Sequence, residues 1–224
     1  MSAVFITATG TDIGKTFVAT ALIRHFQAKN EAVDALKPVV TGFDPAHAEA
    51  SDTGRLLAAL GRATTPDEIA RVSPWRFAAA LSPDLAAARE GRSLDFDQLV
   101  DFCRNAKRGH AGKLLIEGIG GVMVPLDVRH TVLDWMSALK VPLLLVAGSY
   151  LGSISHTLTC LEVLKRRELY VRAVVVNETP GSTVTVAETI ESVARFAQPI
   201  PVLALPRSPA GVTGASIEQI SESF

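Results

Sequence analysis

Hydrophobic positions along the chain fall into two textures. Short apolar runs rich in β-branched residues occur at Ala3–Thr7, Val33–Lys37, Lys113–Glu117, Val141–Ala147, Val171–Asn177 and Pro201–Leu205. Several run without alternation (LLI, LLLV, VVV), the pattern of parallel strands covered on both faces. Between them lie longer amphipathic stretches. Lys15–Lys29 places Val18, Leu22 and Phe26 four apart, with Ala19 and Ile23 beside them, and Ile154–Arg167 does the same with Ile154, Leu158, Leu161 and Leu164. Both predict helices with one buried stripe. Helical texture also spans Asp52–Leu60, Leu94–Arg108, Val132–Leu139, Thr185–Phe196 and Ser216–Glu222. Strands alternating with helices predict an α/β fold, a single domain over residues 1–224 with an open parallel sheet flanked by helices. The strand-poor segment Phe43–Gly112 reads as a helical insertion between the second and third strands. Residues 73–93, with Ser-Pro twice, are its least defined part.

Composition narrows the possible classes. The 22 basic and 23 acidic residues leave a net charge of −1, with no electrostatic footprint for nucleic acid or an anionic membrane. No apolar run approaches the roughly 20 residues of a membrane span. The first residues, MSAVFITATG, lack a basic segment and a cleavage site, so the chain is expected in the cytoplasm. Cys103 and Cys160 each stand beside apolar neighbours and are expected to be buried small hydrophobes in a reducing compartment.

The run Ala8 to Thr16 (ATGTDIGKT) follows the first strand and opens the first helix. A phosphate-binding loop needs that placement, because backbone N–H groups and the helix N-terminus then face the anion. Lys15 can reach the β- and γ-phosphates, and Thr16 offers a hydroxyl to Mg²⁺. The strict pattern wants Gly at position 9, where Thr9 stands, and Gly10 follows one place later. The expected fold is therefore of the phosphate-loop NTPase type, with a nucleoside triphosphate as its ligand.

Ligands of open parallel sheets bind beyond the carboxyl ends of the strands, so the other strand ends test this reading. The second ends in LKPVVTG, where Pro38 biases Lys37 towards an extended conformation. The third ends in LLIEGIGG, with Glu117 at the tip of an apolar strand, where a phosphate-loop enzyme places an acid for Mg²⁺. Asp52 is open to two readings that do not exclude each other, a helix cap and a metal ligand. The fourth strand leads through GSYLGSISH into a helix whose N-terminus is open to a carboxylate, and His156 there reads as a surface or capping residue. Asn177 ends the fifth strand and reads either as a turn residue or as a reader of a base edge.

Together these segments resemble the dethiobiotin synthetase family. The resemblance rests on GTDIGKT at 10–16, KPVVTG at 37–42, Asp52, Ser82-Pro83, EGIGG at 117–121, LGSISH at 151–156 and NETP at 177–180, in the family's order across nearly the whole chain. It implies ATP, Mg²⁺, CO₂ or bicarbonate and 7,8-diaminopelargonic acid as reactants. The family's path runs through a carbamate of the substrate amine, its phosphorylation, and ring closure by the second amine. By the same resemblance Lys15 and Lys37 are the catalytic cations, on the phosphoryl and the carbamate side. Thr16, Asp52 and Glu117 hold Mg²⁺. Asp12, Ile13, Gly14, Lys15, Thr16 and Phe17, with Asp52, Glu117, Gly118, Ile119 and Gly120, surround the nucleotide. Asn177 and Glu178, with the chain at Leu205, Pro206 and Arg207, receive the adenine. Thr11, Lys37 and Thr41 meet the diamine, and Gly152, Ser153, Ile154 and Ser155 of the second subunit of a homodimer receive its carboxylate. Ala8 replaces a loop Gly of the family, Asp12 replaces a Glu, and Thr41 replaces a Ser. The 77–84 loop lacks a Pro and a His often found there, which leaves its role open.

Two other readings fit less well. A phosphate-loop amide-forming synthase usually carries a glutaminase with a nucleophilic Cys and a partner His, and neither cysteine here has that setting. A switch ATPase or GTPase is disfavoured by NETP at 177–180, which is no guanine-reading element, and by Gly10, where partitioning ATPases place a second lysine.

Overall fold

The computed structural model describes residues 2–206 and 214–222. Its strands are β1 (Ser2–Ala8), β2 (Val33–Leu36), β3 (Val39–Thr41), β4 (Trp75–Phe77), β5 (Lys113–Glu117), β6 (Leu143–Gly148), β7 (Val171–Asn177) and β8 (Val202–Leu205). Six of them form one sheet in the order β2-β5-β1-β6-β7-β8. Every pairing is parallel, with Leu36 opposite Ile116, Ile6 opposite Glu117, Ala8 opposite Val146, and Asn177 between Gly148 and Leu205. All six carboxyl ends therefore meet at one edge.

Burial on both faces explains the unbroken apolar runs. Along β1, Ala3 and Phe5 pack into one core while Val4, Ile6 and Ala8 pack into the other. β6 divides likewise, Leu143, Leu145 and Ala147 against Leu144 and Val146. The helices are α1 (Lys15–Ala28), α2 (Asp52–Ala59), α3 (Pro66–Val72), α4 (Pro83–Arg89), α5 (Phe96–Gly109), α6 (Val132–Leu139), α7 (Ser153–Arg166), α8 (Val186–Ala197) and α9 (Gly214–Ser221). Helices α1, α2, α3 and α9 cover the Val4–Ile6 face, and α4 to α8 cover the Phe5 face. There the Trp135 ring of α6 stands edge-on to Phe5 at 4.8 Å. No described helix is long and apolar enough to cross a membrane.

Four expectations need correction. The second strand ends at Leu36, one residue early, because the Lys37 N–H turns to the Val72 carbonyl at 3.1 Å. The fourth begins at Leu143, not Val141, because Pro142 has no N–H for the ladder. The 43–112 insertion is not wholly helical. Pro38 ends the main-sheet pairing, and the chain beyond it forms β3, which pairs with β4 inside the segment 73–93 that the sequence left least defined. Of the cysteines, Cys103 is fully buried but Cys160 on α7 only half so; both thiols are free and burial raises both pKa values, that of Cys160 to about 11.

Candidate active site

At the carboxyl edge of the sheet β1 passes directly into the phosphate loop. Thr9 still donates its N–H to the Val146 carbonyl at 3.0 Å and has no positive φ, so that position continues the strand and requires no glycine. The left-handed residues of the loop are Asp12 (φ 58°) and Gly14 (φ 102°). Gly14 tolerates no side chain, since a Cβ there would lie 2.2 Å from Asn177 Nδ2. Gly14 also forms the N-terminal cap of α1 without a side-chain cap, which leaves the first N–H groups of that helix facing the loop.

Among the described residues Lys15, 6% exposed, donates only to backbone carbonyls, those of Gly120 at 2.8 Å and Gly10 at 3.3 Å. Burial, and then the Lys37 charge, lower its pKa to about 8 against the opposing pull of Glu117, Asp52 and Asp12. Lys37 is differently held. Its ammonium donates to Glu117 Oε1 at 2.5 Å, to the Gly118 carbonyl at 3.0 Å and to Asp52 Oδ2 at 3.1 Å. Burial would lower its pKa, but the charges of Glu117 and Asp52 outweigh it and the pKa is raised. Asp52 mirrors this. Its partial burial works against the charge, yet Lys37 and then Thr16 bring its pKa below the usual carboxylate value.

Asp52 reaches Lys37 because it is not the helix cap. Ser51 caps α2, its Oγ accepting from the Gly54 N–H at 3.1 Å, and Asp52 as the first helical residue keeps its carboxylate free. Gly54 then lets α2 lie against the preceding turn, where a Cβ would come within 2.3 Å of the Ala48 carbonyl. Thr16 donates to Glu117 Oε1 at 2.7 Å, while the buried Glu117 Oε2 has no partner among the described residues. Thr16, Asp52 and Glu117 thus offer an all-oxygen donor set with one carboxylate oxygen uncommitted, which suits Mg²⁺.

These groups line one cavity of about 690 Å³ together with Thr11, Asp12, Gly14, Phe17, Thr41, Ile119 and Gly120. Ile13 and Gly118 take part through their carbonyls, which accept from Asn177 Nδ2 at 2.8 Å and from Lys37. Asn177 is buried; with its donor on the loop, its Oδ1 is left without a partner among the described residues. Beside it the Glu178 N–H donates to the Leu205 carbonyl at 3.1 Å, and half-buried Pro206 follows. Arg207 lies outside the described residues. Gly152, Ser153, Ile154 and Ser155 do not line the cavity of their own chain; Gly152 (φ 96°) precedes α7, and Ser153 Oγ is buried without a described partner. His156 is exposed and meets the Tyr150 hydroxyl at 2.8 Å. Ala80, Leu81, Ser82 and Pro83 of the 77–84 loop supply a further wall, as do Val40, Val124 and Arg55. Arg55 carried no motif, and only its place three residues after Asp52 on one helix face could have pointed to it.

The family described as AAA domain matches residues 2–210. ATP-dependent dethiobiotin synthetase BioD from Acidiphilium cryptum (strain JF-5) is 51% identical over 205 residues, 90% of this chain and 92% of that protein. Its namesake from Caulobacter sp. (strain K31) is 45% identical over 221 residues, 98% and 94% of the two chains. Among solved structures, the MinC:MinD cell division protein complex of Aquifex aeolicus superposes with a TM-score of 0.56 at 11% identity, over 100% of this chain and 86% of that one. A ParA family ATPase from Chlorobium tepidum TLS gives 0.53 at 14% identity, over 100% and 93%. These two likenesses establish the fold alone, a parallel sheet of phosphate-loop NTPase type. With sequence identity of this extent over nearly the full length of the relatives, the chain belongs to the ATP-dependent dethiobiotin synthetase family.

Proposed function

We propose that this chain converts 7,8-diaminopelargonic acid, CO₂ and ATP into dethiobiotin, ADP and phosphate, a step of biotin biosynthesis. The observation that carries the reading is the meeting of Lys15, Lys37, Thr16, Asp52 and Glu117 in one cavity at the carboxyl edge of the sheet. A carbamate and a triphosphate are both anions, and their approach needs concentrated positive charge. Lys15, at the start of α1, stands on the phosphoryl side. Lys37, across Glu117 and Asp52, stands on the carbamate side. Thr16, Asp52 and Glu117 would hold Mg²⁺, which supplies charge neutralisation on the phosphates.

The chemistry then proceeds in two displacements. A carbamate oxygen attacks the γ-phosphorus and the P–O bond to ADP breaks. The second amine attacks the carbamate carbon, the C–O bond to phosphate breaks with its electron pair, and the amine proton leaves to solvent. Thr11 and Thr41 present hydroxyls to the diamine, and the protein's main task is in-line positioning. Asn177 Oδ1 suits an adenine amino group, with Glu178, Leu205, Pro206 and Arg207 around the base. Asp12, Ile13, Gly14 and Phe17, with Gly118 to Gly120, enclose the phosphates and ribose. We place the start of α7, Gly152 to Ser155, against the substrate carboxylate of a second subunit. The working form would be a homodimer of single-domain subunits in the cytoplasm.

The test is phosphate release from ATP with Mg²⁺ and bicarbonate, with and without the diamine. Release is expected to depend on the diamine. Robust hydrolysis indifferent to it would sink the reading.

A further inference from the structure

Arg55 is the one arginine lining the cavity among the described residues. It sits on α2 one turn beyond Asp52, on the same face of the helix. Side chains on a helix lean towards its N-terminus. Arg55 thus lines the cavity from the helix face that carries Asp52, and Thr41 and Ser82 belong to the same walls. The side chain is exposed and makes no hydrogen bond or ion pair with any described residue. Arg62 is committed to Asp34 and Glu68, and Arg167 to Asp134, while other arginines without a described partner, such as Arg24 and Arg89, do not line the cavity.

The charges of the cavity give this isolation a meaning. Lys37 is neutralised by Glu117 and Asp52. Lys15 meets only carbonyls, so two cations remain without a carboxylate partner, Lys15 in the floor and Arg55 at the rim. A planar guanidinium with five donors matches the oxygens of a phosphoryl group better than an ammonium does. On the reading of function given above, that group crosses the cavity once, from ADP to the carbamate oxygen, and then departs as inorganic phosphate when the amine displaces it.

We propose that Arg55 is a further catalytic residue, which binds the oxygens of the transferred phosphoryl group and holds it as it becomes free phosphate. It transfers no proton; its permanent charge offsets the negative charge that grows on the departing phosphate.

The experiment compares the full-length protein with Arg55→Gln and Arg55→Lys. Diamine-dependent turnover and its inhibition by inorganic phosphate in the presence of ADP and Mg²⁺ are the readouts. Arg55→Gln is expected to lower kcat by roughly 10- to 100-fold and to weaken phosphate inhibition about 10-fold, with the KM for ATP within about twofold. Arg55→Lys, which keeps the charge and most of the stem, is expected to recover part of both and serves as the decisive variant should the glutamine form not fold. Unchanged kcat and unchanged phosphate inhibition would overturn the proposal, leaving a solvated surface arginine. A rise confined to the KM for the diamine, with phosphate inhibition intact, would overturn it too. If the wild-type protein releases no phosphate in response to the diamine, the functional reading fails. Direct titration of inorganic phosphate into protein loaded with ADP and Mg²⁺ still decides Arg55, because equal affinity in wild type and Arg55→Gln rejects it.

Discussion

The phosphate loop and the end of the second strand each deliver one buried lysine to the same cavity, and the two are held in opposite ways. Lys37 is clamped between two carboxylates and a carbonyl. Lys15 has two carbonyls and no direct carboxylate partner among the described residues. Both are buried, so both pay in desolvation, but only Lys37 recovers it from direct ion pairs. One cation is thus a structural keystone as well as a candidate catalyst. The other is a destabilising charge retained at the point where an anion would meet it. Charge is positioned for function where the fold least welcomes it.

The comparison breaks first at Lys37. Lys37→Met leaves the carboxylate of Glu117, 1% exposed, without its counter-charge. Breaking a buried pair from one side costs about 3–5 kcal/mol. Asp52, 40% exposed at its side chain, adds little because solvent screens it. Urea unfolding should register that loss. Adding Glu117→Gln should recover most of it, since the pair is then removed from both sides. A Lys37→Met protein as stable as wild type would show that the clamp has no energetic weight.

Lys15→Met should do the reverse. The folded pKa of about 8 lies below the unfolded 10.5, so below pH 8 folding carries the full penalty of a disfavoured charge, and stability rises as pH climbs from about 8 to 10.5. Removing the ammonium should leave thermal stability at neutral pH unchanged or raise it by about 1–2 kcal/mol, while diamine-dependent turnover falls about 10²- to 10³-fold. A destabilised Lys15→Met protein would put the two lysines in one class and end the contrast.

Much of this arrangement could be read along the chain, and the exceptions have physical reasons. The six main strands were visible because their apolar runs pack on both faces, with polar residues such as Asp34 in β2 and Arg172 in β7 kept near the strand starts. β3 and β4 were not, because three residues are too few for any periodicity and Pro38 looked like the end of a strand, not a break between two. The loop was legible from GKT at a strand–helix junction. Thr9 was harder to read, since only the pairing of its N–H with Val146 reveals that the sheet's hydrogen bonding extends one residue past β1. Asp52 had two local readings, and the neighbouring Ser51 removed one of them by taking the cap. Arg55 lacked any signal of its own; a charged residue on an amphipathic helix reads as solvated surface until the walls of the cavity are placed around it.

The finest distinction between the lysines lies in their protons. Lys37, its pKa raised above 10.5, stays charged through the working range, and its stabilising pairs are lost only as pH rises past that value. Lys15 titrates near 8, so at that pH about half the molecules carry a neutral Lys15 amine. A triphosphate beside it favours the charged form and restores the missing fraction. Binding of a non-hydrolysable ATP analogue with Mg²⁺ should therefore take up about half a proton at pH 8 and almost none at pH 6.5. Calorimetry in two buffers of different ionisation enthalpy reads this directly, as a buffer-dependent apparent enthalpy at pH 8 that vanishes at pH 6.5 and in Lys15→Met. The Lys37→Met/Glu117→Gln protein should keep the uptake but with its midpoint at higher pH. Lys37 is the second cause that depresses Lys15, and losing its repulsion outweighs the loss of the weaker pull of Glu117. Buffer-independent binding at pH 8 would mean that Lys15 is already fully charged before nucleotide arrives, and that the contrast with Lys37 does not extend to its proton.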